Sequence, residues 1–176
     1  MGPVTYSYMA PALQLLLTAF VLFLIAQSAL ASAANSVAPS FRTEQARIVT
    51  STRTTGLRVE IATTANQHAL GLMGRAHLPS NLGMLFLFTE PQPATSVFWM
   101  FHTLIPLDVA FLNAKGRIMA IQTMTPCKSP DARRCPIYPA FVRYSAALEV
   151  NQGYFERHGI SVGDCVLVPA MLEQIK

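Results

Sequence analysis

Charge is confined to one part of this chain, and this confinement limits how much of the chain can form a soluble fold. The 13 basic and 9 acidic residues all lie at or beyond Arg42, so the first 41 residues carry no Asp, Glu, Lys or Arg. The chain is 52% hydrophobic and only 12% charged because this leader dilutes the charge. The other 135 of the 176 residues can bury about two-thirds of their unfolded surface as one domain.

The uncharged leader has the features of an export signal. An apolar run over residues 13–25 is short for a membrane span, and two Ala-x-Ala sites follow it. We predict a signal peptide over residues 1–31, cleaved after Ala31 or Ala33, which sends the protein to the periplasm or out of the cell. The segment before the run lacks the usual basic residues, so an uncleaved anchor over residues 10–34 is the alternative. Membrane contact would then be made only through the leader, with the domain facing outside the cytoplasm.

Alternating apolar and polar residues predict a mainly β domain over residues 46–170, after a linker over 32–45 and before a tail over 171–176. Residues 57–61 alternate strictly between apolar and charged side chains, which is the period of a half-buried strand. Residues 83–88 read GMLFLF, as expected for a strand that is buried on both faces. The predicted strands are 47–52, 57–62, 83–88, 97–100, 107–112, 117–123, 143–150 and 165–168.

Two short helices interrupt the predicted strands. Thr64 can cap a helix over residues 65–73 that Gly74 ends, and residues 152–158 form the second. Tight turns between strands, such as the one predicted at residues 54–56, favour antiparallel pairing over a β-α-β layout. The predicted fold class is α+β, mainly β: an antiparallel curved sheet or partial barrel with two short helices.

The three cysteines predict one disulfide. Cys127 and Cys135 flank a short loop in a chain bound for an oxidising compartment, where disulfides persist. We expect these two to be bonded to each other and Cys165, within a strand, to be a free thiol. The alternatives for the pair are two free thiols or half of a zinc site.

Several function classes lack their sequence signals. There is no nucleophile elbow, HExxH zinc motif, Walker loop or dinucleotide glycine fingerprint. These absences favour a protein that is not an enzyme, but they do not decide the question. The four histidines lack metal-ligand spacing, so no metal or cofactor is expected. The net charge of +4 comes from scattered basic residues, and nucleic-acid binding, which typically uses a basic stripe, is not expected.

The order of several short motifs resembles one known family. The motifs are Leu72-Met73-Gly74-Arg75, Leu78-Pro79, Gly83-Met84-Leu85-Phe86, Trp99-Met100, Thr103-Leu104-Ile105-Pro106-Leu107-Asp108, Gly116-Arg117-Ile118, Cys127, Cys135-Pro136, Tyr138, Leu148-Glu149-Val150, Gly153, Gly159-Ile160 and Val162-Gly163-Asp164. Together they resemble the family called domain of unknown function number 192, over roughly residues 57–168. The resemblance implies a small, β-rich, often exported domain and no established reaction.

One motif departs from the pattern of that family. Its members usually read Trp-Met-Lys-Asn-Thr, or have Arg in the third place. This chain reads Trp99-Met100-Phe101-His102-Thr103. Phe101 replaces the positively charged residue and His102 brings an imidazole in place of the Asn. Any function that the family assigns to these two positions is therefore less readily transferred to this chain.

Polar residues from two distant segments are the candidate binding site. The ends of strands and helices can face a common cleft while the neighbouring apolar residues stay in the core. We predict that Arg75, Trp99, His102, Thr103 and Asp108 surround one pocket that binds a small polar or anionic ligand. Arg75 would keep the Asp108 carboxylate ionised, and His102 would change charge near neutral pH.

The same residues have structural alternatives. Arg75 and Asp108 can simply tie two loops together, and Asp164 is another possible partner for the arginine. A lone tryptophan such as Trp99 more often lies in a hydrophobic core than in a binding site.

Three functions remain open at this point. A non-enzymatic exported binder or envelope accessory protein is favoured, because catalytic motifs are absent. A hydrolase or lyase acting on an envelope component is the second hypothesis, using Asp108 with His102 or Glu149. A structural or partner-binding module is the third, and it would expose an apolar patch.

Overall fold

The computed structural model describes residues 39–173, which form nine strands, three α-helices and one 3₁₀ turn. The predicted signal peptide, its cleavage sites and the start of the predicted linker lie outside these residues. The strands are β1 Arg42–Val49, β2 Thr54–Ala62, β3 Leu82–Gln92, β4 Val97–Trp99, β5 Leu107–Leu112, β6 Ile118–Met124, β7 Ile137–Pro139, β8 Tyr144–Asn151 and β9 Cys165–Leu167. The helices are α1 Ala65–Leu70, α2 Tyr154–Arg157 and α3 Pro169–Glu173, and the 3₁₀ turn is Ala132–Arg134. Among residues 39–173, no helix has the length and apolarity to cross a membrane.

Seven strands form one curled sheet with the order β6-β5-β8-β3-β2-β1-β9, which makes a half-barrel. The predicted mainly β fold with a curved sheet or partial barrel is therefore confirmed. One pairing differs from the antiparallel expectation, since β2 and β3 run parallel. The reason is the connection: α1 and the loop after it carry the chain back along the sheet, so β3 starts from the same end as β2.

The sheet has a hydrophobic cluster on each face, which explains why its central strands β3, β5 and β8 are mainly apolar instead of alternating. On β8, Ala146, Leu148 and Val150 belong to the cluster inside the curl, whereas Ala147 belongs to the cluster on the outer face. Glu149 pairs in register with Met84 and Val109, and both of these lie in the outer cluster. Because paired residues in a sheet point to the same face, Glu149 also faces outward.

The two edge strands of the sheet meet at one end of the curl. Arg117, just before β6, forms an isolated antiparallel bridge with Cys165 of β9. The backbone N–H of Ile118 donates to the Asp164 carbonyl oxygen at 2.8 Å, and that of Val166 donates to Gly116 at 2.8 Å. These bonds satisfy groups that an open edge would leave unpaired, so they hold the half-barrel in its curled shape.

Strands β4 and β7 form a separate two-stranded ribbon over the outer face of the sheet. Strand β7 is missing from the predicted elements, because three residues beside two prolines give no alternating pattern. The residues before it contain the predicted disulfide, which is confirmed: Cys127 and Cys135 are bonded, with their Cα atoms 5.5 Å apart. Cys127 also forms a backbone bridge with Phe101, so the disulfide links the ribbon to the segment that follows β4.

Replacing both Cys127 and Cys135 with serine is expected to lower the free energy of unfolding by about 2–3 kcal/mol, since the bond closes a short loop. Urea denaturation of the double variant against the native protein measures this difference. Thiol titration of denatured, unreduced native protein should find one free group, that of Cys165. A titre of three thiols would contradict the bond.

Several boundaries differ from those predicted. Strand β1 starts at Arg42, inside the predicted linker, because backbone pairing with β2 holds residues that lack an apolar pattern. The hairpin turns at residues 50–53, where the Thr50 N–H donates to Arg53, rather than at 54–56. Strand β3 continues through Pro91, which was predicted to end it. The proline is tolerated because the last residues of β3 are exposed and make few hydrogen bonds to β8, so its missing N–H is not needed.

The helices also differ in extent and number. Thr64 caps α1 as predicted, in a reciprocal capping box with Gln67, but the helix ends at Gly71 instead of Gly74. Helix α3 occupies part of the predicted tail. It forms there because Ala170 and Met171 bury against the inner cluster, and the Ala170 N–H donates to the Glu44 carboxylate at 2.9 Å.

Candidate functional site

A cavity of about 170 Å³ lies on the outer face of the sheet, beside helix α1 and the ribbon. Residues 68–73, at the end of α1 and in the turn after it, line one side. Strand β4 lines another side with Val97, Phe98 and Trp99. The sheet contributes Phe86 and Phe88 from β3 and Glu149 from β8, and Thr103 completes the lining.

Aromatic rings make up much of the cavity wall. His68 lies 4.8 Å from Phe88, and Phe86 meets Phe98 edge to face at 5.5 Å, measured between ring centroids. A hydrogen bond of 3.0 Å from His68 Nε2 to the Ala62 carbonyl oxygen fixes the imidazole. These contacts hold the rings in place around the cavity, so their orientation does not depend on a ligand.

Glu149 brings a carboxyl group into this apolar surrounding. The residue is only 5% exposed, and its side chain has no hydrogen-bond or ion-pair partner among residues 39–173. Burial raises the pKa of the Glu149 carboxyl to about 8, because the charged form loses its hydration. The acid is therefore mostly protonated at neutral pH when no ligand lies beside it.

The strand that carries Glu149 offers one sequence signal for this role. It is the only charged residue among residues 144–150, which otherwise form a nearly continuous apolar run. Buried acids without a partner are rare in folded proteins, and each one needs an explanation. Sequence reasoning named Glu149 only as a partner for Asp108 in the enzyme hypothesis and left it out of the ligand-binding candidates.

Two of the predicted site residues, Trp99 and Thr103, line the cavity. Trp99 is 47% exposed, so it stands at the rim instead of in the core. Thr103 is buried, and its hydroxyl makes no hydrogen bond with any described residue. The hydroxyl is therefore free to bond a ligand.

The structure joins the two distant segments of the prediction through their backbones. The Gly74 N–H donates to the His102 carbonyl oxygen at 2.9 Å. The His102 side chain is exposed, has a left-handed backbone with φ of 54°, and packs against the Phe101 ring at 3.8 Å. Its imidazole does not line the cavity.

Arg75 does not contact Asp108 or Asp164. Its guanidinium Nη1 lies 2.7 Å from the Glu60 carboxylate, and the group also sits over the Phe41 ring at 5.9 Å. Arg75 ties the loop after α1 to strand β2, and it does not line the cavity. Arg75 thus has the structural role that was the alternative to ligand binding, but its acidic partner is Glu60 instead of Asp108 or Asp164.

Asp108 lies on the inner face of the sheet, away from the cavity. Its carboxylate accepts hydrogen bonds from the Thr123 hydroxyl and the Gly153 N–H, each at 2.8 Å. Successive residues of a strand point to opposite faces of the sheet, so Asp108 and its neighbour Val109 lie on different faces. Val109 pairs with Glu149 and shares its outer face. The prediction that five residues surround one pocket is therefore wrong. Of the five, only Trp99 and Thr103 line the cavity, and Glu149 joins them there.

The site offers few groups for chemistry. Its titratable side chains are His68 and Glu149, and no lysine or arginine lines it. Within residues 39–173, no three His, Cys, Asp or Glu side chains are grouped closely enough to hold a metal ion. The arrangement can accept a small ligand between aromatic rings and offer it one carboxyl and one hydroxyl.

Sequence and structure comparisons find related proteins. The family model of domain of unknown function 192, described as an uncharacterized ACR, matches residues 47–168. The crystal structure of a proposed transcription regulator from Sinorhizobium meliloti 1021 is 33% identical, with a TM-score of 0.66, and the match covers 74% of this chain and 96% of that one. The crystal structure of a protein of unknown function from Novosphingobium aromaticivorans DSM 12444 is 32% identical, with a TM-score of 0.62, and covers 77% and 96%. No curated protein matches the chain. Because the family model covers most of the chain, the chain belongs to the family of domain of unknown function 192.

Proposed function

We propose that this protein is an exported, non-enzymatic domain that binds a small polar ligand in the cavity beside α1. The observation that carries the proposal is Glu149, a buried carboxyl without a partner that lines an aromatic cavity. A buried polar group without a hydrogen bond costs free energy, and a ligand that bonds it recovers that cost. The anionic ligand named as the other option from the sequence has less support, since no basic side chain of Lys or Arg lines the cavity.

The contacts of the titratable groups support binding over catalysis. An acid–base pair needs two groups within hydrogen-bond reach of one reacting atom. Asp108 is bonded to Thr123 and Gly153 on the other face of the sheet. His102 does not line the cavity, and His68 uses Nε2 to bond the Ala62 carbonyl oxygen.

Export is part of the same proposal. The apolar leader and its Ala-x-Ala sites support it, and the disulfide agrees with an oxidising compartment. A role in DNA binding, raised by the name of the Sinorhizobium relative, is not proposed, because the basic residues of this chain are scattered along it.

A partner-binding module is the second candidate. The ribbon and its surroundings expose large apolar side chains, among them Ile137 at 61% and Phe141 at 75% exposure. Exposed apolar groups that lie together are typical of protein contacts. The choice between the two functions turns on whether the cavity or the outer surface of the ribbon is used.

Replacing Trp99 with alanine is expected to weaken small-ligand binding at least tenfold while changing thermal stability little, because this side chain is half exposed at the cavity rim. A set of small neutral, cationic and anionic compounds is screened on the native protein by thermal shift. The compounds that bind are then titrated by calorimetry against both proteins.

The matched control is Ile137→Ala, which removes the residue paired with Trp99 on the ribbon but outside the cavity lining. Binding should be unchanged in this control. If no compound binds the native protein, or if both variants lose binding equally, the cavity is not the site. An equal loss would favour the ribbon surface instead.

A further inference from the structure

The chemistry of the cavity also indicates which class of small ligand it takes, an inference that rests on the proposed binding function. We propose that the cavity binds a small organic ammonium ion, with its cationic head enclosed by the aromatic rings and facing the Glu149 carboxyl. Three observations support this assignment: the ring-lined wall, the unpartnered acid and the size of the space. Each one is independent of the export prediction.

The wall is suited to a cation. The faces of aromatic rings carry partial negative charge, and they attract ammonium groups within about 6 Å of the ring centre. Phe86, Phe88, Phe98 and Trp99 all line the same space. Recognition of quaternary ammonium ions by such sets of rings needs no hydrogen bond from the ligand head.

The acid adds the charge that such a head requires. Glu149 has no cationic partner among the described residues, and neither lysine nor arginine lines the cavity. A cation beside a buried carboxyl favours its ionised form and replaces the hydration that burial removed. A carboxylate or phosphate ligand would find no such compensation and would be repelled by the ionised acid.

The size of the cavity limits the ligand. A protein cavity of about 150 Å³ holds one benzene molecule, and this cavity measures about 170 Å³. The space therefore accepts a head group of about six to eight non-hydrogen atoms. The Thr103 hydroxyl, which has no partner among the described residues, can bond a polar group at the end of such a ligand.

Binding should depend on pH because the ligand requires an ionised Glu149. The folded protein keeps this acid protonated up to about pH 8. The affinity for a cation is then expected to fall about tenfold for each pH unit below that value. The elements packed around Glu149 contribute one other titratable group to the cavity, His68 from α1, while β3, β4 and β5 contribute none there.

The test compares choline with 3,3-dimethylbutan-1-ol, a neutral molecule of the same shape in which carbon replaces the cationic nitrogen. Both are titrated into the protein by calorimetry at pH 8.5 and pH 6, with the fluorescence of Trp99, the only tryptophan, as a second signal. Choline should bind at least tenfold more tightly than the neutral molecule at pH 8.5. This preference should shrink at pH 6.

Two variants connect the preference to the named residues. Glu149→Gln keeps the shape but removes the charge, so choline should lose its advantage over the neutral molecule, and that advantage should no longer depend on pH. Trp99→Ala should weaken choline more than its neutral counterpart, since only the cation gains from the ring face. This second variant keeps the test decisive if Glu149→Gln fails to fold, because Trp99 is half exposed.

The outcomes separate this inference from the proposed function. Equal binding of choline and the neutral molecule would overturn the ammonium assignment and leave the cavity as a binding site. Binding of other compounds through Trp99, with none of choline, has the same meaning. If neither these two molecules nor any compound of the broader screen binds, the proposed function fails along with the inference.

Discussion

Replacing Gly116 with alanine is expected to lower the free energy of unfolding by about 3 kcal/mol or more, from backbone strain and a steric clash together. Gly116 has a φ of 77°, which a residue with a Cβ adopts at a cost of about 1–2 kcal/mol. An added Cβ would also overlap the carbonyl oxygen of Val166. Relief of this overlap separates β6 from β9 and breaks the hydrogen bond from the Val166 N–H to Gly116.

The control for this effect is Gly74→Ala. Gly74 has a nearly equal φ of 72°, but a Cβ there would meet no atom within 4 Å. Its replacement should therefore cost only the backbone strain, about 1–2 kcal/mol. Urea denaturation of both variants measures the difference. Equal losses would mean that the junction between the two edge strands yields easily and does not stabilise the curl.

The second large effect concerns the dependence of stability on pH. The Glu149 carboxyl has a pKa of about 8 in the folded protein against 4.5 for the free group. Between these values the unfolded chain has lost the proton while the folded protein keeps it. The stability from this group is thus complete below about pH 4.5 and is lost as the pH rises to about 8, by up to about 5 kcal/mol.

Urea denaturation at a series of pH values from 5 to 9 measures this loss by comparison with Glu149→Gln. The glutamine cannot ionise, so the variant should gain stability relative to the native protein as the pH rises. Glu90→Gln is the matched control, because Glu90 is exposed near the end of β3. That control should follow the native curve. Parallel curves for all three proteins would show that Glu149 ionises as easily as a surface acid.

Much of the sheet is predictable because its strands carry a local pattern. Strand β2 alternates, β3 is apolar over residues 82–88, and β5 is apolar except for Asp108. All three lie where the sequence predicts them, although β2 and β3 are longer than predicted. The ribbon strand β7 and the parallel pairing of β2 with β3 depend on contacts between distant residues. No local pattern encodes these contacts, so they were missed.

In the candidate site, the sequence also does not predict which of two acids, Asp108 or Glu149, faces the cavity. Asp108 pairs with Val150, and its neighbour Val109 pairs with Glu149. A shift of one position along a strand changes the face of the sheet, so one acid joins the inner hydrogen bonds and the other enters the cavity. Sequence alternation separates the two faces but does not say which of them the ribbon covers. Trp99 and Thr103 were found because they lie on the covering segment itself.

The position of the disulfide has a consequence for the order of events in the life of this protein. Cys127 pairs with Phe101, whose ring lies 5.6 Å from that of Trp99, and Cys135 precedes the strand that pairs with β4. The bond therefore braces the cavity wall from both sides. In the proposed exported protein, a newly made chain still has free thiols, and its cavity wall is held by the ribbon hydrogen bonds and the ring contacts without the disulfide. In that proposal, the disulfide forms only after the chain leaves the reducing cytoplasm, so the cavity wall would reach its braced form only outside the cytoplasm.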